Sequence, residues 1–145
     1  IMKVKLKTIV HSIVTAVAFV GCVGASGADE GGMTSTKELV WEPYAGGALQ
    51  IAKLWGDRDK GAYGMYLKAP AGFKAGSHMH TADDSGVNIQ GTWVHTMNGE
   101  TKELPVGSYI MQPGGQYHSD ECKSPEECIW LLVQDAKGDF IPEKK

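Results

Sequence analysis

Positive charge is scarce in this sequence. Its 14 lysine and arginine residues are outnumbered by 17 acidic residues, which gives a net charge of −3. The first 28 residues contain three of those lysines and no acid, so the remainder of the chain is more acidic still. Nucleic acids and anionic membranes are bound through basic surfaces, and we therefore predict neither as a partner through charge.

A long apolar run is also missing. A transmembrane helix needs about 20 apolar residues, and the longest candidate, Ile9–Val23, is shorter and is interrupted by polar and small residues. Three lysines precede it, and small residues ending at Ala28 follow it. This order is typical of a secretory signal peptide. We predict a signal peptide over residues 1–28 and export to the periplasm or cell envelope, with an uncleaved anchor helix as the alternative.

Cysteine is rare, with three residues in the chain. Cys22 ends the stretch FVGC, which resembles a bacterial lipoprotein box, and lipidation there would attach the protein to a membrane. Cys122 and Cys128 flank a turn-rich stretch, so a disulfide in an oxidising compartment and two reduced cysteines both remain open. Because no second cysteine pair accompanies them, a structural zinc site is less favoured.

Helical periodicity is absent beyond residue 30, and the pattern is that of strands. Residues 29–37 are small and polar and predict a disordered leader. After them, short aliphatic and aromatic runs alternate with glycine and proline turns, and Asn98-Gly99 is a hairpin signal. The predicted strands are Leu49–Trp55, Ala62–Leu67, Ser85–Gln90, Thr92–Met97, Ser108–Gln112 and Cys128–Gln134. We predict an all-β sandwich or barrel that forms a single domain over residues 38–145.

Histidine is rare too, yet His78 and His80 lie only two residues apart. Residues two apart on a strand point to the same face, so both imidazoles can reach one metal ion. By itself such a pair is common on protein surfaces, so the pair indicates a metal site only if the surrounding residues also fit one.

The spacing of glycine, proline and histidine around this pair resembles the two motifs of the cupin superfamily. The first motif, G-x5-H-x-H-x3,4-E-x6-G, is matched from Gly72 through Asp84 to Gly91. The second, G-x5-P-x-G-x2-H-x3-N, is matched from Gly107 to His118, and a cysteine replaces its asparagine. The resemblance implies a cupin double-stranded β-helix, a jelly-roll barrel.

The same resemblance implies one divalent transition metal ion (Fe, Mn, Ni, Co, Cu or Zn) bound by His78, His80 and His118. Asp84 occupies the position of the family's acidic ligand but is one methylene shorter than glutamate. Two alternatives therefore stay open for Asp84, a metal ligand or a turn carboxylate bonded to local backbone. Gln90, six residues further on the same predicted strand face, is the substitute ligand.

His95 is the candidate catalytic residue. Alternation along the strand places Trp93, His95 and Met97 on one face, and the cupin resemblance implies that this face is turned to the barrel interior. In that position His95 would line the cavity, support the metal ligands and act as a general base. The alternative is a histidine packed in the core and hydrogen-bonded to a neighbour, and the sequence leaves both open.

Short phrases such as LWGD at residues 54–57 and GTW at 91–93 are similar to small cupin families related to the metal-binding cupin of anti-sigma factors and to acetylacetone-cleaving dioxygenases. This resemblance implies a metal-dependent, oxygenase-like enzyme that acts on a small molecule. The alternative is a non-catalytic module of the cell envelope that binds or senses a small molecule or a metal. We also predict a homodimer, with Trp41, Tyr44 and Trp130 as candidate interface aromatics.

Overall fold

The structure, a computed structural model, describes residues 32–144. The predicted signal peptide, its cleavage site and Cys22 lie outside the described residues. At the end of the predicted leader, the side chain of Ser35 caps a single 3-10 turn that spans Thr36–Glu38. The described part of the chain contains no helix that is long and apolar enough to cross a membrane.

Short strands make up most of residues 38–144, and they include the six predicted strands to within two residues at each end. In chain order the strands are β1 (Glu42–Tyr44), β2 (Leu49–Gly56), β3 (Tyr63–Ala69), β4 (Lys74–Met79), β5 (Asp84–Gln90), β6 (Trp93–Met97), β7 (Glu100–Leu104), β8 (Tyr109–Gln112), β9 (His118–Cys122), β10 (Cys128–Gln134) and β11 (Ile141–Pro142). A second 3-10 turn at Ala45–Gly47 joins β1 to β2.

Strands β6 and β7 form the hairpin that Asn98-Gly99 predicts. Both turn residues have positive φ, 54° for Asn98 and 78° for Gly99, as a type I′ turn requires. Strand β7 lies at the edge of its sheet and is mostly exposed and polar. Hydrophobic patterning therefore does not predict β7. The strand is defined by its backbone pairing with β6, and its side chains show no alternation of apolar and polar residues.

The strands form two antiparallel sheets, one with the order β1-β2-β3-β10-β5-β8 and the other with the order β11-β4-β9-β6-β7. The chain passes from one sheet to the other several times, including between β4 and β5 and between β8 and β9. As a result β4 pairs with β9 in one sheet while β5 pairs with β8 in the other. This is the jelly-roll arrangement, and it brings the two sequence motifs side by side.

The two sheets meet at a pair of tryptophans. Trp93 of β6 and Trp130 of β10 are each 5% exposed and stack with their ring centroids 6.0 Å apart. The assignment of Trp130 to an interface is therefore wrong, because its side chain belongs to the core. Tyr44 accepts a hydrogen bond from Arg58 (2.8 Å), and the Nζ of Lys68 lies 4.0 Å from the ring centroid of Trp41.

The cysteine pair forms a disulfide, with the Cα atoms of Cys122 and Cys128 5.7 Å apart. Cys122 ends β9 and Cys128 begins β10, which belong to different sheets. The crosslink therefore ties the two sheets together beside the tryptophan pair, and both cysteines are buried in the same core cluster.

Candidate metal centre

Three neighbouring strands, β4, β9 and β6, place histidines next to one another. The pairing of β4 with β9 sets His78 opposite His118. The pairing of β9 with β6 sets His95 opposite Asp120. Because His118 and Asp120 are two residues apart on β9, their side chains point to the same face of the sheet. Four residues that can carry a proton or bind a metal therefore meet on the inner face.

A β-bulge in β4 aims the first motif at this face. The register runs from Ala75 opposite Asp120 to His78 opposite His118, so three steps along β4 correspond to two along β9. Such an extra residue bends the strand and redirects the side chains that follow. His78 is 4% exposed and His80, just beyond the strand end, is partly buried.

Backbone carbonyl groups orient all three motif histidines through the same ring nitrogen. The Nδ1 atoms lie 2.8 Å from the Gly76 oxygen for His78, 2.6 Å from the Asp139 oxygen for His80 and 3.2 Å from the Gln116 oxygen for His118. A carbonyl only accepts, so each Nδ1 carries the proton and each Nε2 has a free lone pair. Carbonyl partners of this kind fix the tautomer of metal-binding histidines.

The ligand atoms of His78, His80 and His118 all lie within 4.8 Å of one another. The ring centroids are 4.2 Å apart for His78 and His118 and 5.1 Å apart for His78 and His80. Imidazole nitrogens bound at about 2.0–2.1 Å to one ion lie roughly 3–4 Å apart, so small side-chain adjustments suffice. The three histidines therefore form a cluster that can hold a metal ion.

Burial keeps two of these histidines in the form that binds a metal. Desolvation lowers the pKa of His118 to about 4, and it also lowers the pKa of His78. Only the neutral imidazole offers a lone pair to a cation. Both residues are therefore ready to bind at neutral pH without first losing a proton.

Asp84 points inward from the first residue of β5. Its Oδ2 atom is 3.8 Å from Nε2 of His80, and its side chain is 11% exposed. It is not part of the mutually close set formed by the three histidines, and neither is Asp120. The turn-carboxylate role belongs to its neighbour Asp83, whose Oδ1 accepts the backbone N–H of Gly114 at 2.8 Å. Burial raises the pKa of Asp84 from 3.8 to about 6.

Replacing Asp84 by asparagine is expected to stabilise the metal-free protein at pH 8 by about 1–3 kcal/mol, because a buried charge is removed. The folded-state pKa of about 6 exceeds the ordinary value of 3.8. The cost of the charge is thus fully present above pH 6 and disappears as the pH falls towards 3.8. Urea unfolding of wild type and Asp84→Asn at pH 8 and pH 4 measures this, and a pH-independent difference would contradict it.

Gln90 does not reach the centre, so the prediction that it is the substitute ligand is wrong. Its Nε2 donates to the Glu127 carbonyl at 3.0 Å, and it does not line the cavity. The pairing of β5 with β10 shifts register between Ile129 and Trp130, which face Gln90 and Asn88. The irregularity breaks the simple alternation that would have placed Gln90 on the face of Asp84.

Asp120 is a functional candidate that sequence reasoning missed. Its Oδ1 accepts hydrogen bonds from Nε1 of Trp93 at 2.9 Å and from Nδ1 of His95 at 2.8 Å. Burial raises the pKa of this carboxyl, but the hydrogen bond from His95 and the nearby charges outweigh burial and lower it. A signal was present, since Asp120 follows His118 by two residues and shares its strand face.

His95 has the surroundings that both interpretations of it require, and its role as a general base stays a prediction. It is 9% exposed and hydrogen-bonded to Asp120, as a packed histidine would be, and it also lines the cavity. Among residues 32–144, no hydrogen-bond partner reaches its buried Nε2 atom. Its ring centroid is 5.2 Å from that of His118. A proton-accepting nitrogen is therefore held beside the cluster.

The segment before β11 closes one side of the centre, and no sequence pattern pointed to it. Phe140 stacks on His78 with ring centroids 4.2 Å apart. The preceding residue, Asp139, accepts from His80 through its backbone oxygen and from Thr81 through its carboxylate. The pairing of β11 with β4 explains these contacts, because it sets Pro142 opposite His78.

A cavity of about 490 Å³ lies against the three histidines. This volume is in the range of small-molecule sites. Most of its walls are apolar, and the lining includes Leu49, Met65, Leu67, Phe73, Ile110, Trp130 and Leu132. Polar groups from both sheets also line the cavity: the histidines and Asp120 come from one sheet, and Asp84 and Gln112 come from the other. The site thus combines apolar walls with polar groups that both sheets contribute.

The fold is that of the cupins, a jelly-roll barrel, and three imidazoles face its interior. The fold is similar to KdgF from Halomonas sp., with a TM-score of 0.60 and 20% identity over 72% of this chain and 94% of that one. The fold is also similar to a predicted oxalate decarboxylase from Thermotoga maritima, with a TM-score of 0.62 and 20% identity over 72% of this chain and 98% of that one. A third similar structure is the polyketide cyclase RemF from Streptomyces resistomycificus, with a TM-score of 0.64 and 16% identity over 79% of this chain and 86% of that one. At these identities the likeness shows the fold alone.

The chain belongs to the family described as a domain of unknown function, DUF4437, whose model matches residues 40–144. The match covers the whole barrel from β1 to β11. A search of curated proteins finds no match.

Proposed function

We propose that this protein is an exported, metal-dependent cupin enzyme that acts on a small molecule in the cavity beside His78, His80 and His118. The observation that carries the proposal is the convergence of three Nε2 atoms whose Nδ1 partners are all backbone carbonyl groups. Three imidazoles suit a divalent transition metal and leave coordination positions for a substrate.

A metal ion in this centre would supply Lewis acidity and, if redox-active, electron transfer to or from O₂ or an organic substrate. The chain's own groups supply the rest of the chemistry. Apolar walls exclude water and receive the carbon skeleton of a substrate. His95 accepts a proton at Nε2 while Asp120 holds its Nδ1–H. Asp84, with a pKa of about 6, is placed to return a proton on the opposite side of the cavity.

Two features support export. The first 28 residues have the order of charge and hydrophobicity of a secretory signal peptide. The disulfide between Cys122 and Cys128 is of a kind that persists in oxidising compartments such as the periplasm. Homodimer formation stays a prediction, for which Trp41 and Tyr44 remain the proposed aromatics.

Anaerobic loading with Fe(II), followed by O₂-uptake measurements on β-dicarbonyl and phenolic substrates, tests the enzymatic proposal. The Zn(II)-loaded protein and the His118→Ala variant serve as controls. Turnover that requires Fe(II) and His118 supports an oxygenase-like enzyme. Calorimetry that shows tight ligand binding with no product would instead identify a non-catalytic binding module of the cell envelope.

A further inference from the structure

The carboxylate of Asp120 uses its two oxygens differently. Oδ1 is saturated, because it accepts from Nε1 of Trp93 at 2.9 Å and from Nδ1 of His95 at 2.8 Å. These two donors fix the plane and the rotation of the carboxylate. The side chain is 13% exposed and borders the cavity.

The other oxygen, Oδ2, faces the histidine cluster. It lies 3.6 Å from Nε2 of His118 and 3.8 Å from Nε2 of His78. Both separations are longer than a hydrogen bond. They are close to the distance between two ligands of one ion, which is roughly 3–4 Å for bonds of about 2.0–2.2 Å.

The negative charge of Oδ2 and the lone pairs of the two Nε2 atoms favour a cation at their common centre. Because the carbonyls of Gly76 and Gln116 accept from Nδ1 of His78 and His118, both Nε2 atoms present lone pairs towards Oδ2. A carboxylate oxygen and two lone pairs in a shared space repel one another unless a cation, a proton or another hydrogen-bond donor lies among them. The arrangement is therefore complementary to a positive charge at their common centre.

Asp84 does not share this arrangement. Its Oδ2 approaches a single imidazole nitrogen, Nε2 of His80, at 3.8 Å. It is one methylene shorter than the glutamate of the cupin motif. The residue that faces two of the three ligand nitrogens, with its second oxygen already anchored, is Asp120.

We infer that Oδ2 of Asp120 is the carboxylate ligand of the metal centre and that Asp84, at the motif position, is not. This inference rests on the proposed metal-binding function. It makes the centre a set of His78, His80, His118 and Asp120, of which two members lie on β9. It also connects the metal to His95, because the carboxylate that binds the ion through Oδ2 accepts from His95 through Oδ1.

Asp120→Asn and Asp84→Asn form a matched pair of variants that test the inference. The asparagine at position 120 can keep its oxygen towards Trp93 and His95 and replaces only the oxygen that faces the cluster by an amide nitrogen. Each protein is titrated with Co(II), read by its visible absorption bands and by competition with a chelator. Circular dichroism of the metal-free forms checks that both variants are folded.

We expect Asp120→Asn to weaken Co(II) binding at least about tenfold and to change the absorption bands, because the coordination sphere loses an anionic oxygen. Asp84→Asn is expected to keep the wild-type bands and to change the affinity by less than about threefold. Wild-type bands in Asp120→Asn, or a loss confined to Asp84→Asn, would overturn the assignment. A wild-type protein that binds no Co(II) would overturn the proposed metal-binding function itself.

Discussion

The His118→Ala variant is expected to lose its metal, falling from about one ion per chain to near zero after gel filtration. His118 lies between His78 and His95 on the central strand of the centre, and its removal leaves two imidazoles. Two ligands bind a divalent ion far more weakly than three or four. Elemental analysis of protein loaded with one equivalent of Zn(II) or Co(II) measures the loss.

Thermal unfolding gives a second readout of the same prediction. An ion that binds only the folded protein stabilises it by about 2.7 kcal/mol at a concentration 100 times Kd. Wild type should therefore melt at a higher temperature when metal is added, and His118→Ala should not. Tyr117→Ala is the matched control, because Tyr117 is adjacent in sequence but 41% exposed. Full metal content in His118→Ala would contradict the account.

Replacing Gly91 by alanine is expected to destabilise the protein by about 2–5 kcal/mol. Gly91 ends the first motif with φ +76°, where an alanine costs about 1–2 kcal/mol. An added Cβ would also lie 2.8 Å from Sγ of Cys128 and 3.1 Å from the Glu127 oxygen. Crowding of a rigid, buried neighbour adds about 1–3 kcal/mol. Urea unfolding of the oxidised protein measures the sum.

Gly72→Ala separates the two contributions to the Gly91 effect. Gly72 has nearly the same φ, +73°, but a Cβ there would have no atom within 4 Å. We expect this variant to lose only the conformational part, about 1–2 kcal/mol. If Gly72→Ala and Gly91→Ala were equally destabilised, close packing against the disulfide would not explain why the first motif ends on glycine.

The cluster of His78, His80 and His118 could be predicted from one local rule and from the resemblance to the two cupin motifs, which adds His118. Residues two apart on a strand point to the same face, so His78 and His80 are expected side by side. The turn at Gly114 and Gly115 then sets the second motif against the first. The backbone N–H of Gly115 donates to the His80 oxygen at 2.8 Å, and a Cβ on Gly114 would lie 2.5 Å from the Thr81 oxygen.

What could not be predicted depends on pairing between distant strands. Asp120 acquires its role only because β6 pairs with β9 and brings His95 and Trp93 to it. Gln90 was misplaced by an irregularity that no local pattern reveals. Trp130 was assigned to an interface because the sequence does not state which face of a strand is covered by the second sheet.

The measurement that most directly tests the centre is a crystal structure of the protein purified from its native compartment, with data collected at the absorption edge of the metal found by elemental analysis. The account predicts one anomalous peak about 2.0–2.2 Å from Nε2 of His78, His80 and His118. A peak at a different place, or three rings turned apart with no peak after soaking in metal, would contradict it.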